Sequence, residues 1–372
     1  MNDLFAKKSS RLTAVLLAAL LLCMPLSSCG SQGGGTTEPT GETAAPTDGS
    51  SPAEETTATT AATTLPTQKD VSGEQTQTLG AVLVVGDTGY EYYNFVRSVA
   101  DQYATLVSRL GTRLQGVSTV YDMVVPTSID ITLQDSVRAG LSTSDQGQAI
   151  EYLYGSMINV TPVNLYDTLK SHRDEYLYFR TDHHWTADGA YYAYEAYCES
   201  KNLLPISRGR HEKREFDGFL GSFYNDTKSK KLQKHPDTVT AYEPISKNIS
   251  MECEEANGSK PSYPVIYDVA KHPASLKYNA FLAGDHAYAK ITNEDLTDGS
   301  SCVVVKESFG NAFVPFLVDH YQTVHVIDYR YWNQDLISFV EKKQADDLIF
   351  VNNLSMIRSD YLTGRLAQLI NK

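Results

Sequence analysis

The spacing of apolar residues predicts a strand, a helix and a second strand near the start of the folded region. Residues 81–85 form a continuous apolar run, which predicts a buried strand. Residues 91–110 carry apolar side chains at helical spacing, which predicts an amphipathic helix ended by Gly111. Residues 117–125 form a second apolar run that stops before Pro126. This order predicts a right-handed crossover and a parallel sheet.

The same alternation continues towards the C-terminus. Apolar runs at residues 302–305, 323–327 and 347–351 predict three further buried strands. Helical patterns at residues 311–317 and 335–343 follow the first two strands, and a terminal helix follows the third. Strands that alternate with helices are typical of an α/β domain in which helices flank a parallel sheet.

One region departs from this pattern. Residues 203–277 are more polar than their surroundings and hold several lysines and prolines. We therefore expect a polar insertion with loops within a folded domain that spans residues 79–372.

The first 28 residues have the features of a secretory signal peptide. Basic residues precede an apolar run at residues 12–22, which is shorter than the ~20 residues that a membrane-spanning helix needs. The following sequence, Leu26-Ser27-Ser28-Cys29, resembles a bacterial lipobox. We expect cleavage after residue 28 and a lipid on Cys29, which would anchor the exported protein to the bacterial cell membrane. A conventional signal peptide with an incidental cysteine is the alternative, and it also predicts export.

Residues 29–78 have the composition of a disordered linker. They are rich in Gly, Ser, Thr, Pro, Ala and Glu and contain almost no large apolar side chains. Such a segment buries too little apolar surface to offset the entropy lost on ordering. We expect it to connect the lipid anchor to the folded domain.

The charge of the chain excludes one class of partner. The net charge is -13, and removal of Asp3, Lys7, Lys8 and Arg11 with the signal peptide changes it to -13 - 2 = -15. An acidic surface repels the phosphate backbone of nucleic acids. Nucleic acid is therefore not an expected partner.

Cysteine usage argues against a disulfide scaffold. Beyond Cys23 in the signal and Cys29 at the anchor, the chain has three cysteines and no C-x-x-C pair. Cys302 lies in an apolar run, which predicts a core position. One disulfide between Cys198 and Cys253 is the alternative to free thiols.

The densest polar cluster lies just before a predicted helix at residues 187–201. An aspartate, Asp182, stands two positions before His184, and Thr186 is a suitable N-cap for the helix. An aspartate at this spacing can accept the Nδ1 hydrogen of the imidazole and leave Nε2 free as a base. The alternative is a local pair that only caps the helix.

A candidate nucleophile follows the predicted strand at residues 302–305. Ser308 stands at the turn from that strand into the next helix, where open α/β sheets form their sites. The backbone N–H groups at the start of the helix, at Gly310 and Asn311, are candidates to hold an oxyanion. The alternative is that Ser308 is only a helix N-cap.

Together these segments resemble the DHHW family, whose name is the tetrapeptide at residues 182–185. The resemblance extends over most of the folded region, and the matching segments are Val125-Pro126-Thr127-Ser128, Tyr178-Phe179-Arg180-Thr181, Gly221-Ser222-Phe223-Tyr224, Pro236-Asp237-Thr238, Gly284-Asp285-His286, residues 306–316 and Ile327-Asp328-Tyr329-Arg330. The family is similar to the SGNH-hydrolase-like domains of bacterial alginate O-acetyltransferases.

The resemblance implies roles for individual residues. It implies that Ser308 is the nucleophile, His184 the base and Asp182 the residue that orients the histidine. Arg330 would lie near acyl or sugar oxygens, or would form a structural salt bridge. Family members usually carry Asp before the serine, whereas this chain has Glu307, which either braces the turn or shapes the oxyanion pocket.

Two further serine or threonine residues compete for the role of nucleophile. Gly86-Asp87-Thr88 resembles the Gly-Asp-Ser block of ordinary SGNH hydrolases, but threonine is bulkier and stiffer at χ1. Ser222, after a glycine, is a candidate that better fits a pocket wall.

A metal site is the alternative from a different class of chemistry. Asp182, His183, His184 and His286 carry suitable ligand atoms. Adjacent histidines normally point apart, and we expect His183 to help position the loop and no metal or cofactor to be bound.

The sequence therefore predicts a cell-envelope carbohydrate O-acetyltransferase or acetylesterase that forms an acyl-serine. The expected partner is an acetylated or acetyl-accepting envelope polysaccharide. For a transferase, the family resemblance also implies a membrane-bound O-acyltransferase that supplies the acyl group. A non-catalytic polysaccharide-binding lipoprotein is the main alternative, and a metal-dependent hydrolase is the weaker one.

Overall fold

The computed structural model describes residues 65–371. The predicted signal peptide, the predicted lipidation site at Cys29 and the linker as far as residue 64 lie outside these residues. Among the described residues, no helix is both long enough and apolar enough to cross a membrane.

Strands and helices alternate along most of the described chain. The strands are β1 (Thr76–Leu79), β2 (Val82–Val85), β3 (Thr88–Glu91), β4 (Thr119–Val125), β5 (Thr161–Pro162), β6 (Lys213–Phe219), β7 (Asp237–Tyr242), β8 (Ile249–Glu254), β9 (Tyr288–Asn293), β10 (Ser301–Lys306), β11 (Thr323–Asp328) and β12 (Asp347–Asn353). The α-helices are α1 (Arg97–Arg113), α2 (Ser128–Ile131), α3 (Asp135–Arg138), α4 (Gln146–Gly155), α5 (Leu165–Lys170), α6 (Ala187–Lys201), α7 (Ser222–Thr227), α8 (Lys230–Gln233), α9 (Gly310–Leu317), α10 (Leu336–Lys343) and α11 (Asp360–Ile370). Short 3₁₀ helices occupy Arg208–Arg210, Ala274–Ala280 and Leu354–Arg358.

A seven-stranded sheet forms the centre of the domain, in the order β5-β4-β12-β10-β11-β9-β8. The first five strands in this order are parallel. At the other edge, β9 pairs antiparallel with β11, and β8 pairs antiparallel with β9. Strand β10 is central and buried at all six positions, as expected for a strand that is covered on both faces. The predicted α/β class, with a mostly parallel sheet flanked by helices, is confirmed.

Alternate residues of the central strands enter two separate cores. In β10, Cys302 and Val304 pack on one face with α6 and α9, and Val303 and Val305 pack on the other with α1, α4, α10 and α11. The domain therefore has a helix layer on each side of the sheet. The helix predicted at residues 187–201 is confirmed as α6, and Thr186 caps it by accepting a hydrogen bond from the N–H of Gly189 at 3.3 Å.

The prediction of a crossover from the strand at residues 81–85 is wrong. Strand β2 pairs antiparallel with β1 and β3 in a separate three-stranded sheet. Two-residue turns that begin at Gly80 (φ 63°) and Gly86 (φ 59°) reverse the chain on each side of β2. A glycine at the first position of a two-residue turn favours a hairpin, and here that signal prevails over the strand–helix–strand order.

Residues 65–78 also differ from the expected linker. The side chain of Gln68 is buried, and its Nε2 donates hydrogen bonds to the carbonyls of Ile131 and Leu133 at 2.9 and 2.7 Å. Strand β1 then pairs with β2. This stretch is fastened to the domain because a buried amide and a strand pairing offset the entropy cost of ordering it.

The polar region at residues 203–277 contributes to the sheets as well as to loops. Strands β6 and β7, which α7 and α8 connect, form an antiparallel pair, and β8 is the edge strand of the central sheet. The side chains of Phe216, Phe219 and Val239 from this pair of strands lie in the same core as α6.

The three cysteines in the described residues are free and buried. The alternative of a disulfide between Cys198 and Cys253 is therefore wrong, and the core position predicted for Cys302 is confirmed. Burial raises the pKa of the Cys198 and Cys253 thiols to about 12, which makes both groups poor nucleophiles at neutral pH.

The helix predicted at residues 91–110 starts later, at Arg97, and does not end at Gly111. It continues to Arg113. Gly111 lies inside the helix, at the point where α1 packs against the loop before β5. A Cβ added at Gly111 would lie 2.1 Å from the carbonyl oxygen of Asn159. The glycine is needed for this close approach and not for a helix end.

We expect Gly111→Ala to destabilise the fold and Gly155→Ala, in α4, to stabilise it slightly. Alanine in place of glycine stabilises a helix by roughly 1 kcal/mol. At Gly155 nothing lies within 4 Å of the added Cβ, whereas at Gly111 the backbone clash should cost several times that gain, on the order of 3 kcal/mol. Thermal unfolding of the two variants measures this, and equal melting temperatures would contradict the close approach.

A buried carboxyl group in β4 makes the fold sensitive to pH. Asp122 is fully buried, and its Oδ1 accepts a hydrogen bond from the Tyr103 hydroxyl at 2.6 Å. Burial raises the pKa of Asp122 from 3.8 to about 7 despite that bond. Because the folded state keeps this proton to a higher pH than the unfolded chain does, the free energy of unfolding falls as the pH rises from about 4 to about 7.

We expect Asp122→Asn to remove this loss of stability. The rise of the pKa from 3.8 to about 7 corresponds to a loss of at most about 4 kcal/mol in the free energy of unfolding. Thermal unfolding at about pH 4.5 and about pH 8 tests this: the melting temperature of the variant minus that of the wild type should increase with pH. The same difference at both pH values would show that the pKa of Asp122 is not raised.

Candidate functional site

The candidate site lies at the carboxyl ends of the central parallel strands. After β10, residues Glu307, Ser308 and Phe309 form the turn into α9. The hydroxyl of Ser308 projects from this turn, at the edge of the sheet where open α/β folds form their sites. The strand, turn and helix predicted around Ser308 are confirmed.

The loop that carries Asp182 and His184 folds back on itself before α6. Tyr178 and Trp185 form an isolated antiparallel bridge, which closes the loop. The indole Nε1 of Trp185 donates a hydrogen bond to the carbonyl of Phe309 at 2.9 Å. The tetrapeptide loop is thereby attached directly to the turn that holds Ser308.

The structure brings Asp182, His184 and Ser308 into one chain of hydrogen bonds. Nδ1 of His184 lies 2.6 Å from Asp182 Oδ1, and Nε2 lies 2.7 Å from Ser308 Oγ. Because the carboxylate only accepts, Nδ1 carries the hydrogen and Nε2 of the neutral ring can accept the serine proton. This is the geometry of a nucleophile, a base and an orienting acid.

Asp182 is buried and held by contacts on both oxygens. Its Oδ1 also accepts from the N–H of His184 at 2.9 Å, and its Oδ2 accepts from the N–H of Ser222 at 2.7 Å. A Cβ at Gly221 would lie 2.2 Å from the carboxyl group, so only glycine fits there. Burial would raise the pKa of Asp182, but the neighbouring His184 and His183 and these hydrogen bonds hold it well below its usual value.

Aromatic rings fix the orientation of the His184 imidazole. The ring of Tyr278 stacks on it at 3.9 Å between centroids, and the His183 ring lies at 3.9 Å. The Tyr278 hydroxyl donates to the carbonyl of Ser308 at 3.1 Å. Tyr278 therefore touches both the base and the nucleophile residue, and no motif in the sequence pointed to it.

His183 and Ser222 form a second histidine–serine contact. Nδ1 of His183 lies 2.7 Å from Ser222 Oγ, and the N–H of His183 donates to the same oxygen at 3.2 Å. Burial and the adjacent His184 lower the pKa of His183, so it stays neutral more readily than a free histidine. These contacts fit the positioning role predicted for His183, and the pocket-wall position of Ser222 stays a prediction.

Glu307 braces the turn around Ser308. Its Oε1 accepts from the N–H of Asn353 at the end of β12, at 2.9 Å. Its Oε2 accepts from the N–H of Phe309 at 3.3 Å and lies 3.2 Å from Ser308 Oγ. Burial raises the pKa of Glu307, while Arg330 and the two backbone N–H groups oppose that effect.

The N–H groups of Gly310 and Asn311 are not free to hold an oxyanion as predicted. They donate to the carbonyls of Glu307 and Ser308, at 3.0 and 3.2 Å, as the chain turns into α9. The side-chain amide of Asn311 donates instead to Asp285 at 2.9 Å. Binding an oxyanion with these two backbone groups would break both turn contacts.

Arg330 forms the structural salt bridge that was one of its two predicted roles. Its Nη2 lies 2.6 Å from Asp328 and 2.8 Å from Asp285. Its side chain, 23% exposed, also reaches the wall of the cavity beside Ser308. The arginine is thus paired with carboxylates where it borders the site.

A cavity of about 230 Å³ lies beside Ser308. Its walls include Glu307 and Phe309, which flank the serine, and His183, which packs on His184. Further polar wall residues come from distant parts of the chain and were not predicted; they are Glu91, Asn353 and Ser355.

The residues that the sequence offered as a rival nucleophile and a further metal ligand make hydrogen bonds elsewhere. Thr88 is part of β3, and its hydroxyl donates to Asp87 at 3.0 Å. His286 is paired with Glu255 at 2.8 Å and with the carbonyl of Leu282 at 2.8 Å. Neither contact forms part of the hydrogen-bond chain around His184.

Within the described residues, one group of side chains could gather around a metal ion. Ligand atoms of Asp182, His183 and His184 lie within 4.8 Å of one another. The Asp182 oxygen and His184 Nδ1 already face each other, and His183 Nδ1 faces Ser222. Each of these three side chains thus already has a hydrogen-bond partner.

Comparisons with known proteins agree with the fold and with the tetrapeptide. The sequence profile described as "DHHW protein" matches residues 53–327. Among curated proteins, none matches this sequence.

Several solved structures resemble the chain. A DHHW family protein from Eubacterium siraeum is 26% identical, with a TM-score of 0.73, and the match covers 80% of this chain and 99% of that one. Bacillus cereus PatB1, in a structure with a sulfonyl adduct, is 16% identical, with a TM-score of 0.62 and coverage of 80% and 99%. The O-acetyltransferase domain of Pseudomonas putida AlgJ is 11% identical, with a TM-score of 0.40 and coverage of 79% and 98%.

The PatB1 likeness concerns the fold alone, whereas the profile covers well over half of the sequence. Together with the residues Asp182-His183-His184-Trp185, that match identifies the chain as a member of the DHHW family.

Proposed function

We propose that this protein is a cell-envelope carbohydrate O-acetyltransferase or acetylesterase that works through an acyl-Ser308 intermediate. The observation that carries the proposal is the continuous hydrogen-bond chain from Asp182 through His184 to Ser308, at 2.6 and 2.7 Å. A neutral imidazole oriented in this way activates a serine hydroxyl.

The proposed reaction has two stages that share one base. Ser308 Oγ attacks the acetyl carbonyl carbon while its proton passes to Nε2 of His184. The imidazolium, stabilised by Asp182, then protonates the leaving oxygen, and the acetyl group stays on the serine. A sugar hydroxyl or water next gives its proton to Nε2 of His184 and attacks the acyl carbon. The bond from that carbon to Ser308 Oγ then breaks, and the imidazolium returns the proton to Oγ, which restores the free enzyme.

Membership of the DHHW family supports this proposal, because two of the segments that resemble the family, residues 182–185 and 306–316, meet at Ser308. PatB1, which shares the fold, has been observed with a sulfonyl adduct. Sulfonyl reagents trap nucleophiles, so the same chemistry provides a direct probe of Ser308.

The location and partners belong to the same proposal. We infer that a signal peptide directs export and that a lipid on Cys29 anchors the protein to the bacterial cell membrane. Its partner is then an acetylated or acetyl-accepting envelope polysaccharide. A transferase would in addition receive its acetyl group from a membrane-bound O-acyltransferase.

A metal-dependent hydrolase is a second candidate, because ligand atoms of Asp182, His183 and His184 lie within 4.8 Å of one another. The two candidates differ in their response to chelation. Ester turnover that EDTA abolishes and zinc restores would favour the metal.

We expect phenylmethylsulfonyl fluoride to modify Ser308 and abolish hydrolysis of p-nitrophenyl acetate by the full-length mature protein. Ser308→Ala should lower kcat at least about 10³-fold and prevent the mass increase, and His184→Ala should lower kcat by about 10²-fold or more. Thr88→Ala serves as the matched control. It should retain both the adduct and turnover, since the Thr88 hydroxyl donates to Asp87 and does not contact His184 or Ser308.

Peptide mapping of the adduct decides between nucleophiles. An adduct on another residue, or turnover that survives Ser308→Ala, would contradict the proposal. A wild-type protein that neither reacts with the sulfonyl fluoride nor turns over an acetyl ester would favour the non-catalytic polysaccharide-binding alternative.

A further inference from the structure

We propose that Tyr278 is a positioning residue that holds the His184 imidazole in place beside Ser308 and stabilises the positive charge that this ring carries during the reaction. This inference rests on the proposed function and adds a residue to its chemistry. Two contacts carry it. The rings of Tyr278 and His184 are stacked, with 3.9 Å between centroids and 13° between planes, and the Tyr278 hydroxyl donates to the carbonyl of Ser308 at 3.1 Å.

The charge on His184 must be stabilised by the protein, because the residue is only 7% exposed to water. When Ser308 Oγ bonds to the acyl carbon, its proton passes to Nε2, and the neutral imidazole becomes an imidazolium. Asp182 meets this ring at one edge, through the contact to Nδ1 at 2.6 Å. The two faces of the ring lie outside that contact and depend on other neighbours.

Tyr278 covers one of these faces. The face of an aromatic ring is electrostatically negative and attracts a cation above it, more strongly where water is excluded. Tyr278 is itself buried, and the nearly parallel planes place its ring face on the imidazole. The contact is therefore stronger with the imidazolium than with the neutral ring. Only interactions that strengthen in the transition state accelerate a reaction, and this one does.

His183 covers the opposite face without adding a competing charge. Its ring centroid also lies 3.9 Å from that of His184. Two rings cannot both stack on one face at this distance, so His183 and Tyr278 lie on opposite sides of the imidazole. Burial and the adjacent His184 lower the pKa of His183, which favours its neutral form. Two uncharged rings thus enclose the base.

The ring of Tyr278 is fixed in place before the reaction begins. It belongs to the 3₁₀ helix Ala274–Ala280 and packs edge-on against Phe179 and Phe281, with 6.2 and 5.2 Å between centroids. Burial raises the pKa of Tyr278 well above its ordinary value, so the hydroxyl keeps the proton that it donates to Ser308. A group that is already in place needs no rearrangement when the charge forms.

Two substitutions in the full-length mature protein separate the ring from the hydroxyl. Tyr278→Leu removes both, whereas Tyr278→Phe keeps the ring face. We expect Tyr278→Leu to lower kcat for p-nitrophenyl acetate by about 30-fold and Tyr278→Phe by less than about fivefold. Because His184 becomes charged in both stages, the initial burst of p-nitrophenol, which reports acylation, and the later steady rate should both fall in Tyr278→Leu.

Tyr194→Leu is the matched control. Tyr194 is a buried tyrosine of the same core that also stacks on a ring, that of Phe316, and its hydroxyl contacts His320 and not His184. Its melting temperature should fall about as much as that of Tyr278→Leu, while its kcat should stay within about twofold of the wild type. Equal losses of kcat in Tyr278→Leu and Tyr194→Leu, or in Tyr278→Leu and Tyr278→Phe, would overturn the role of the ring.

The remaining outcomes separate this role from the catalytic proposal. A wild-type protein that the sulfonyl fluoride modifies at Ser308, together with an unchanged kcat in Tyr278→Leu, would overturn the role of Tyr278 and leave the acyl-serine intact.

If the wild type neither reacts with the sulfonyl fluoride nor hydrolyses the ester, the catalytic proposal fails and proton NMR decides. The signal of the His184 Nδ1 hydrogen is identified by its absence in His184→Ala. Loss of this signal through exchange with water in Tyr278→Leu, with retention in Tyr278→Phe and Tyr194→Leu, supports the positioning of the imidazole by the ring. Any other pattern overturns it.

Discussion

The buried ammonium group of Lys306 constrains the geometry of the whole site. Its side chain is 1% exposed, and Nζ lies 3.0 Å from both Asp285 and Asp328. An unpaired charge in this position would cost on the order of several kcal/mol, so the ends of β10 and β11 and the segment before β9 must meet here. The pairing with these two carboxylates raises the pKa of Lys306 even though burial opposes it. Ser308 lies two residues further along the chain, and its position follows from this network.

Glu307 shows how this chain accommodates a departure from the usual aspartate of its family. The carboxyl group reaches the N–H of Asn353 at the end of β12 while it also contacts the turn at Phe309 and Ser308. The additional methylene supplies the length for a contact between two neighbouring strands. Of the two roles predicted for this residue, the bracing of the turn is the one that its contacts describe, and the raised pKa reflects its burial.

Local sequence signals predicted the elements that hold the site, and contacts between distant segments explain what they missed. The strand before Ser308 and the helix after His184 each have a short, self-contained pattern, so both halves of the hydrogen-bond chain could be proposed. The buried-strand pattern of β2 is compatible with a parallel or an antiparallel sheet. The two-residue turns on each side of it make its pairing with β1 and β3 antiparallel. Glu91 and Asn353 belong to separate strands, and only the fold places them around one cavity. No nearby motif could have indicated them.

The N-terminal stretch of the described chain has a practical consequence. Strand β1 covers one edge of β2, whose four residues are all buried, and Gln68 fastens the chain ahead of it to the body of the domain. A soluble version trimmed at residue 78, where composition alone would put the domain boundary, would lose most of this cover. It would expose an apolar strand edge, which is a template for self-association. Recombinant versions should therefore begin no later than residue 65, and poor solubility of shorter ones would report on this strand and not on the chemistry of the site.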